Sequence, residues 1–436
     1  MFANIPRRAV PATRAGATPC PALRAHALYR AVALALALSL LLPGTPRAMA
    51  AAPPQTRAAL HATLQQKLDA AFARYKTLGA VVCVIENGAV TDTFTYGSIA
   101  PDGAPMTADT LFRVGSISKM VTAVGVMQLV ERGTLALDGD VGAVLGIPLR
   151  NPQYPDIPIT LRQLMSHSAG LRDSGHYTIA LRGEARPLAE LFAQPQVRYL
   201  FHPGAAPGSR TEYSNFGGGL LGSVLEAATG QTVDAYMAAN VFAPLGITAA
   251  YQSGALPAGV TVSDMYIMPG RRRAATVWDD PAPSAAPDAQ RDYTLTAGKL
   301  ILSAPDLCKL LIALCDGGVY GQTRVLTEQS AAAMRTVPNG EGVAAGSTGF
   351  GLSMNVLSGL VPGHTLYGHG GKANGMLCAA YFDPGDRTGV VMLTNGCNNR
   401  PTEQNVGKLS LLVLRTIYAD WLDQLHQFAD PWLVGE

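Results

Sequence analysis

The chain has 436 residues, of which 48% are hydrophobic and 15% charged; this apolar share is ordinary for a packed globular protein and excludes a generally disordered chain. The formal net charge is +2 at pH 7, but the first fifty residues hold six arginines and no acid, so the remainder has 27 basic and 31 acidic residues, a balance of −4. That balance predicts no basic face for nucleic acid, and no nucleic-acid partner is expected.

The first fifty residues have the pattern of a secretory signal. A basic segment precedes the twelve-residue apolar run Ala31–Leu42, and a "PGTP" break and the small-x-small site Ala48-Met49-Ala50 follow. A run of that length is too short to cross a bilayer, which takes about 20 residues. We therefore expect a signal peptide over 1–50, a secreted or periplasmic protein over 51–436, and no stable membrane span after cleavage. An uncleaved anchor is the alternative.

Cysteine usage bounds the chemistry further. After residue 50 the chain keeps five cysteines, an odd number that leaves at least one thiol unpaired, and none has the C-x-x-C spacing of redox or zinc sites. Cys308 and Cys315 lie two turns apart on one predicted helix, too distant to bridge each other. We expect no metal and no organic cofactor. The five are Cys83, Cys308, Cys315, Cys378 and Cys397.

After the leader the chain begins with a helix and two strands. Apolar residues recur at helical spacing over 56–76, and two strand-like segments follow over 79–97 with a turn at Asn87-Gly88. From about Thr107 to Leu314 the pattern is mostly helical. Residues 252–293 interrupt it as a long excursion with little periodicity.

Strand patterns return after Gly349, as "HTLYGHG", "GMLCAAYFDP" and "TGVVMLTNG", and a final amphipathic helix is predicted over Val406–Phe428. This order predicts one α/β (α+β) domain over 51–436, built from both ends of the chain with a mostly helical insertion. We expect the α/β part at about 51–105 and 335–436, and the helical part at about 106–334.

The helical block opens with Ser116 and Lys119 in "RVGSISKMVTAVGVMQLVERG", where the apolar spacing predicts a helix from Ser116 to Gly133. Because they are three residues apart, the two side chains share one helix face. A serine hydroxyl is a poor nucleophile until a base takes its proton, and a lysine amine held neutral is such a base. A serine at this position is also an ordinary helix cap.

A second group is Tyr213 and Asn215 in "TEYSNFGGG". Two residues apart on an extended segment, their side chains point to the same side. A tyrosine beside a lysine relays a proton, and an asparagine orients the lysine and holds a substrate amide. Each also has a structural interpretation, as an ordinary aromatic residue and as a helix cap.

The third group is "LYGHGGKANGM", Leu366–Met376. A phosphate loop is excluded, because Gly371-Lys372 is followed by Ala373 and no glycine stands at the required earlier position. A glycine-rich strand edge fits the pattern, since glycine lets a ligand backbone approach closely.

Together the three groups resemble the S-x-x-K, Y-x-N and K/H-x-G motifs of the serine β-lactamase and penicillin-binding-protein superfamily, in its class C-like branch. The segments "ITLRQLMSHSAGL" and "VFAPLGI" are also similar to blocks of that family, in its order, so the resemblance covers nearly the whole chain after the leader. It implies a β-lactamase/transpeptidase-like fold: an antiparallel sheet flanked by N- and C-terminal helices, with an inserted helical domain and the site between the two parts.

The resemblance also implies the role of each residue. Ser116 is acylated by the substrate carbonyl, and Lys119 and Tyr213 share the acid–base work; which of the two is the principal base stays open. The backbone N–H groups of Ser116 and Lys372 form the oxyanion hole. The substrate-binding residues are Asn215, His369, Gly370 and Gly371.

His369 stands where class C β-lactamases have lysine. A lysine offers a permanent charge to a substrate carboxylate, whereas histidine is largely neutral near pH 7. This departure resembles D-alanyl-D-alanine peptidase, D-aminopeptidase and esterase-like members. The expected activity is therefore that of a serine hydrolase forming an acyl-enzyme with a D-amino-acid peptide or a carboxylic ester. A β-lactamase, and a penicillin or cell-wall sensor acylated without turnover, are the alternatives; the partner is a small molecule or peptide, and the oligomeric state stays open.

Two other patterns point elsewhere. "SHSAG", Ser166–Gly170, is similar to the G-x-S-x-G nucleophile elbow of α/β-hydrolases, but it lacks the first glycine and follows no strong strand. No metal-ligand spacing relates His167, His176, His202 and His364, so a hydrolytic zinc site is not expected.

Overall fold

A computed structural model describes residues 56–268, 272–275, 284–338, 343–400 and 402–423 of the chain. The signal peptide predicted over 1–50 lies outside these residues and stays a prediction. Within the described ranges, no helix is both long and apolar enough to cross a membrane. The five cysteines after residue 50 are all buried, and none of them forms a disulfide.

Strands and helices are numbered separately along the chain. The strands are β1 (Gly79–Glu86), β2 (Ala89–Gly97), β3 (Phe112–Arg113), β4 (Ala249–Ala250), β5 (Met265–Ile267), β6 (Arg272–Ala275), β7 (Ile301–Leu302), β8 (Val319–Tyr320), β9 (Thr323–Arg324), β10 (Ser347–Phe350), β11 (Asn355–Ser358), β12 (Thr365–Ala373), β13 (Met376–Asp383), β14 (Thr388–Thr394), β15 (Thr402–Glu403) and β16 (Val406–Gly407). The helices are α1 (Arg57–Arg74), α2 (Ile117–Glu131), α3 (Val141–Leu145), α4 (Leu161–Met165), α5 (Gly175–Ala180), α6 (Leu188–Ala193), α7 (Asn215–Thr229), α8 (Val233–Met237), α9 (Ala243–Leu245), α10 (Leu295–Gly298), α11 (Ala304–Cys315), α12 (Glu328–Arg335) and α13 (Lys408–Ile417). Short 3-10 helices lie at Pro195–Leu200 and Ser253–Ala255, and short π-helices lie at Ala238–Phe242 and Tyr418–Leu422.

A seven-stranded antiparallel sheet joins strands from the early and late parts of the described chain, in the order β10-β11-β12-β13-β14-β1-β2. The apolar strand β1 lies between β14 and β2, with Ala80 opposite Thr394 in the first pair. The predicted turn between β1 and β2 is confirmed: Asn87 and Gly88 both have positive φ, of 51° and 75°, as a tight hairpin turn requires.

Helices cover both faces of this sheet. Val81 and Cys83 of β1 point into the core that contains α2 and α11, whereas Val82 and Val84 pack with α1 and α13 on the other face. The alternation follows from the two-residue period of a strand. The predicted α/β fold with terminal helices around an antiparallel sheet is therefore confirmed.

Two features differ from the sequence expectation. The last helix begins at Lys408 rather than Val406, because Val406 and Gly407 pair with β15; its predicted end at Phe428 lies outside the described residues. A small sheet, β3-β7-β4, also crosses the helical block. Strands of two residues have no readable period, so the sequence did not predict it.

The excursion predicted over 252–293 contains a short hairpin. Strands β5 and β6 pair within it, while residues 269–271 and 276–283 lie outside the described part. The division of the chain at about 105/106 and 334/335 stays a prediction.

Candidate active site

A cavity of about 520 Å³ lies where the beginning of α2 meets strand β12. Strand β11 begins at Asn355, opposite Gly368, so among the described residues no strand pairs on that side with the part of β12 that follows Gly368. The cavity brings together all predicted site residues except Lys119, which is buried beneath it. The predicted residues in its wall are Ser116, Tyr213, Asn215, His369, Gly370, Gly371 and Lys372.

Two glycines bring β12 against the turn that carries Ser116. Gly115 has a φ of +56°, and a Cβ there would lie 3.1 Å from the backbone nitrogen of Lys372. A Cβ at Gly371 would overlap the carbonyl oxygen of Val114. The close approach places the backbone N–H of Lys372 beside the Ser116 turn, which is the arrangement that an oxyanion hole needs.

The Lys119 ammonium group lies among three acceptors. Its Nζ is 3.0 Å from Ser116 Oγ, 2.8 Å from Asn215 Oδ1 and 2.5 Å from the carbonyl oxygen of Ala297. The amide and carbonyl oxygens only accept hydrogen bonds. A neutral amine would use its two N–H groups on these two acceptors, and its lone pair would then face the Ser116 hydroxyl. The geometry therefore suits Lys119 to take the serine proton.

Tyr213 reaches the same oxygen from the solvent side. Its Oη lies 2.7 Å from Ser116 Oγ, and its side chain is 39% exposed. Lys119 Nζ lies 5.1 Å from the centre of the Tyr213 ring. A hydroxyl has one proton and two lone pairs, so Ser116 bonds to both neighbours at once. Both Lys119 and Tyr213 are within proton-transfer distance of the nucleophile.

Asp173 organises this group, although no motif pointed to it. Its Oδ2 accepts from Asn215 Nδ2 at 2.8 Å, and its Oδ1 accepts from the Phe216 N–H at 2.9 Å. The cap of α7 is Ser214, whose Oγ accepts from the Gly217 N–H at 3.0 Å; Asn215 is therefore not the cap. The sequence offered only an acid shortly after the "SHSAG" segment, a weak signal.

His167 is the second residue that sequence reasoning missed. Its ring packs on Tyr213 at 4.3 Å between centroids and meets Phe350 edge-on at 5.2 Å. The serine of the elbow-like segment has a different environment: Ser168 Oγ lies 2.9 Å from Ser166 Oγ and does not line the cavity.

His369 is buried in the cavity wall. Its Nδ1 lies 2.6 Å from the carbonyl oxygen of Gly370, and the side chain is 3% exposed. Burial and the nearby Lys119 lower the pKa of His369 to about 3, so the ring is neutral at physiological pH. The third motif thus offers no histidine cation to a ligand.

Beyond Gly370 the cavity continues across the sheet. A Cβ at Gly370 would lie 3.4 Å from Tyr381 Oη, and this hydroxyl donates to Asn355 Oδ1 at 3.4 Å. Burial raises the pKa of Tyr381, so its phenol stays protonated. The far wall is the β15–β16 hairpin, including Gln404 and Asn405.

One group of side chains outside the cavity has metal-like spacing: His364, Asp383 and Asp386, whose ligand atoms lie within 4.8 Å of one another. His364 Nδ1 lies 3.0 Å from Asp383, and its Nε2 lies 3.2 Å from Asp423. Burial opposes protonation of this ring, but the hydrogen bonds to Asp383 and Asp423 outweigh it and raise the pKa of His364. The hydrogen bonds from the His364 ring to two carboxylates account for the close approach of these side chains.

Comparison with known proteins gives the relatives of this chain. The Beta-lactamase family model matches residues 62–414. The chain is 30% identical over 348 residues to "Penicillin-binding protein 4" of Amycolatopsis lactamdurans, covering 77% of this chain and 85% of that protein. It is 33% identical over 205 residues to "Esterase EstB" of Burkholderia gladioli, covering 44% of this chain and 51% of that one.

A solved structure shares the fold. The octameric penicillin-binding protein homologue from Pyrococcus abyssi superposes with a TM-score of 0.64 at 22% identity, covering 82% of this chain and 77% of that one. At this identity the likeness shows the architecture alone.

Proposed function

The chain belongs to the β-lactamase family of hydrolases, and on that premise we propose that it is a serine hydrolase working through an acyl-enzyme on Ser116. The observation that carries the proposal is the convergence of Lys119 Nζ and Tyr213 Oη on Ser116 Oγ, at 3.0 and 2.7 Å, in the wall of the cavity. A nucleophile with a base in hydrogen-bond contact is the arrangement that activates a hydroxyl.

In the proposed reaction Ser116 Oγ attacks the substrate carbonyl while Lys119 or Tyr213 takes its proton. The backbone N–H groups of Ser116 and Lys372 stabilise the oxyanion, a contribution of about 10²–10³ in rate for each such donor. The proton then passes to the leaving alcohol or amine, and the acyl group stays on Oγ. Water attacks this ester, its proton returns through the same base to Oγ, and the carboxylic acid leaves.

The neutral His369 supports a substrate without a carboxylate next to the scissile bond. Its pKa of about 3 leaves no cation at the position where lysine would pair with a carboxylate. Lys372 also lines the cavity, but its ammonium is exposed, and a solvated charge binds a carboxylate weakly. We therefore favour carboxylic esters, with D-amino-acid peptides or amides next, over β-lactams.

Covalent labelling tests the nucleophile. Incubation with a fluorophosphonate is expected to add one adduct, located on Ser116 by peptide mass spectrometry and absent in Ser116→Ala. Ser168→Ala is the matched control for the elbow-like segment, and it should label and turn over like the parent protein. An adduct on any residue other than Ser116 would contradict the proposal.

A substrate panel tests the proposed preference for carboxylic esters. p-Nitrophenyl esters, a D-Ala-D-Ala peptide, a D-amino-acid anilide and nitrocefin are compared by kcat/KM on the native protein and Ser116→Ala. We expect the esters to be turned over fastest. Fast nitrocefin hydrolysis would replace the ester proposal by a β-lactamase, and a penicillin burst without turnover would replace it by a sensor.

Secretion or periplasmic export is also proposed, on the basic–apolar–small pattern of residues 1–50. N-terminal sequencing of the protein recovered from the expressing cells tests it. A mature chain beginning near Ala51 is expected, and a chain that keeps the leader would contradict cleavage.

A further inference from the structure

His167 holds the chain on both sides of Tyr213. Its carbonyl oxygen accepts from the Glu212 N–H at 2.8 Å, and its ring Nδ1 accepts from the Ser214 N–H at 3.3 Å. The backbone of His167 has a φ of +56°, an uncommon conformation for a residue with a side chain. The left-handed turn lets the carbonyl and the ring face the same segment, and the ring packs on the phenol between the two bonds.

The partners of the two buried histidines fix which nitrogen carries the proton. Because the Ser214 N–H donates to Nδ1 of His167, the proton of that ring is on Nε2. The Gly370 carbonyl only accepts, so Nδ1 of His369 carries the proton and its Nε2 carries a lone pair. Burial and the nearby Lys119 lower the pKa of both rings, which are therefore neutral at pH 7.

The remaining nitrogens are complementary. Nε2 of His167 and Nε2 of His369 are both buried, and neither has a hydrogen-bond partner among the described residues. Nε2 of His167 is a donor, and Nε2 of His369 is an acceptor. Both rings contact the Tyr213 ring, at centroid distances of 4.3 and 6.3 Å, and a charge on His369 would be felt at His167. A buried polar atom without a partner is destabilising, so an arrangement that satisfies both nitrogens is favoured.

We propose that His167 is a positioning residue for the Tyr213 phenol, and that one water molecule bridges its Nε2–H to Nε2 of His369. The two hydrogen bonds from His167 to the backbone on either side of Tyr213 hold Tyr213 Oη on Ser116 Oγ. The histidine pair connects the Tyr213 segment to strand β12. The role in catalysis rests on the proposed serine hydrolase; the histidine pair does not.

Nitrogen NMR of protein labelled with ¹⁵N-histidine tests the histidine pair without an activity measurement. At pH 7 we expect His167 as the Nε2–H tautomer and His369 as the Nδ1–H tautomer, assigned by the loss of each signal in His167→Asn and His369→Gln. In His167→Asn the Nε2 resonance of His369 should shift, because its donor is gone. A proton on Nδ1 of His167, or a His369 resonance that His167→Asn leaves unchanged, overturns the pair.

The same variant tests the positioning role. Asparagine is the side chain best suited to positive φ, and its Oδ1 can accept from the Ser214 N–H in place of Nδ1. We expect kcat for a p-nitrophenyl ester to fall roughly 10- to 100-fold, with KM little changed, because asparagine lacks both the ring that packs on the phenol and the Nε2–H that links it to β12. His167→Gln, whose amide reaches the Nε2 position, should retain more kcat than His167→Asn. An unchanged kcat in His167→Asn overturns the positioning role.

His202→Asn is the matched control, since His202 does not line the cavity, and its kcat and melting temperature should match the parent protein. If His167→Asn fails to fold, the loss of the signal in His167→Gln assigns His167 instead, and the tautomers of the native protein still test the histidine pair. An adduct away from Ser116 overturns the proposed function alone. Normal Ser116 labelling with an unshifted His369 resonance overturns the pair alone.

Discussion

Asp173 decides which way the Asn215 amide points. A carboxylate only accepts hydrogen bonds, so the contact of 2.8 Å between Asp173 Oδ2 and Asn215 must involve the amide nitrogen. The amide oxygen is thereby left facing Lys119 Nζ, also at 2.8 Å. An exposed acid thus orients the partner of a fully buried lysine.

Replacing Asp173 by asparagine removes this orientation, because an amide both donates and accepts. We expect kcat to fall about 10-fold through Lys119. The protein should also lose about 0.3–1 kcal/mol of stability, since the Asp173 carboxylate sits at the N-terminus of α7. Steady-state kinetics and thermal melts measure the two effects. Asp156→Asn, at an exposed loop position, is the control. A Asp173→Asn enzyme with native kcat would refute the orienting role.

Gly217 and Gly218 form a matched pair in the first turn of α7. A Cβ at Gly218 would overlap Cε and Cδ of Lys119, whereas at Gly217 the nearest atom, on Leu171, would be 3.7 Å away. Gly218→Ala should therefore displace the lysine and lower kcat at least about 10-fold. Gly217→Ala should keep activity and gain up to about 1 kcal/mol of stability from helix propensity. Equal kcat values for the two variants would show that Lys119 tolerates the displacement.

Gly371 and Gly370 are neighbours on β12 with different environments. A methyl group at Gly371 would overlap the Val114 carbonyl oxygen, which is backbone and unable to move aside; at Gly370 it would face Tyr381 Oη at 3.4 Å. We expect Gly371→Ala to lower the melting temperature and abolish labelling of Ser116. Gly370→Ala should fold normally and discriminate against bulky esters, because the methyl narrows the cavity.

Melting curves and kcat/KM across esters of increasing size separate these effects. A Gly371→Ala protein with native labelling would show that the approach of β12 to the Ser116 turn is dispensable.

Glu226 predicts the pH dependence of stability. Burial and the charge of Asp292 raise the pKa of Glu226 to about 7 from its ordinary 4.5. The folded protein therefore binds more protons than the unfolded chain between these values, and stability falls as pH rises from about 4.5 to about 7. Above this window the buried carboxylate is charged and destabilising.

Glu226→Gln removes that penalty and keeps an oxygen for the Val233 N–H, which Glu226 Oε1 accepts at 3.1 Å. Its melting temperature should exceed the parent's by a few degrees at pH 8 and match it near pH 4. Glu184→Gln, at an exposed position, should leave the melting temperature unchanged at both pH 8 and pH 4. Equal melting temperatures at pH 8 would mean that the Glu226 carboxyl is not perturbed.

The local part of the site could be predicted from the sequence. A spacing of three residues on a helix puts Ser116 and Lys119 on one face, and the two-residue period of a strand turns His369 and Gly371 to the same side of β12. The hairpin at Asn87-Gly88 and the helix predicted from Ser116 to Gly133 follow from equally short-range rules; the structure has the turn, and it has the helix from Ile117 to Glu131 with Ser116 as its N-cap residue.

Tertiary structure decided what short-range rules cannot reach. In the sequence, nothing distinguishes His167 and Asp173 from other loop residues. Folding brings them against the segment that carries Tyr213 and Asn215, some forty residues further along the chain. Position 371 needs a glycine because a side chain there would overlap the carbonyl oxygen of Val114, more than two hundred residues earlier in the chain. Hydrogen bonds, steric overlap and burial act through space, so a side chain's tautomer, amide orientation and pKa depend on partners that sequence spacing does not reveal.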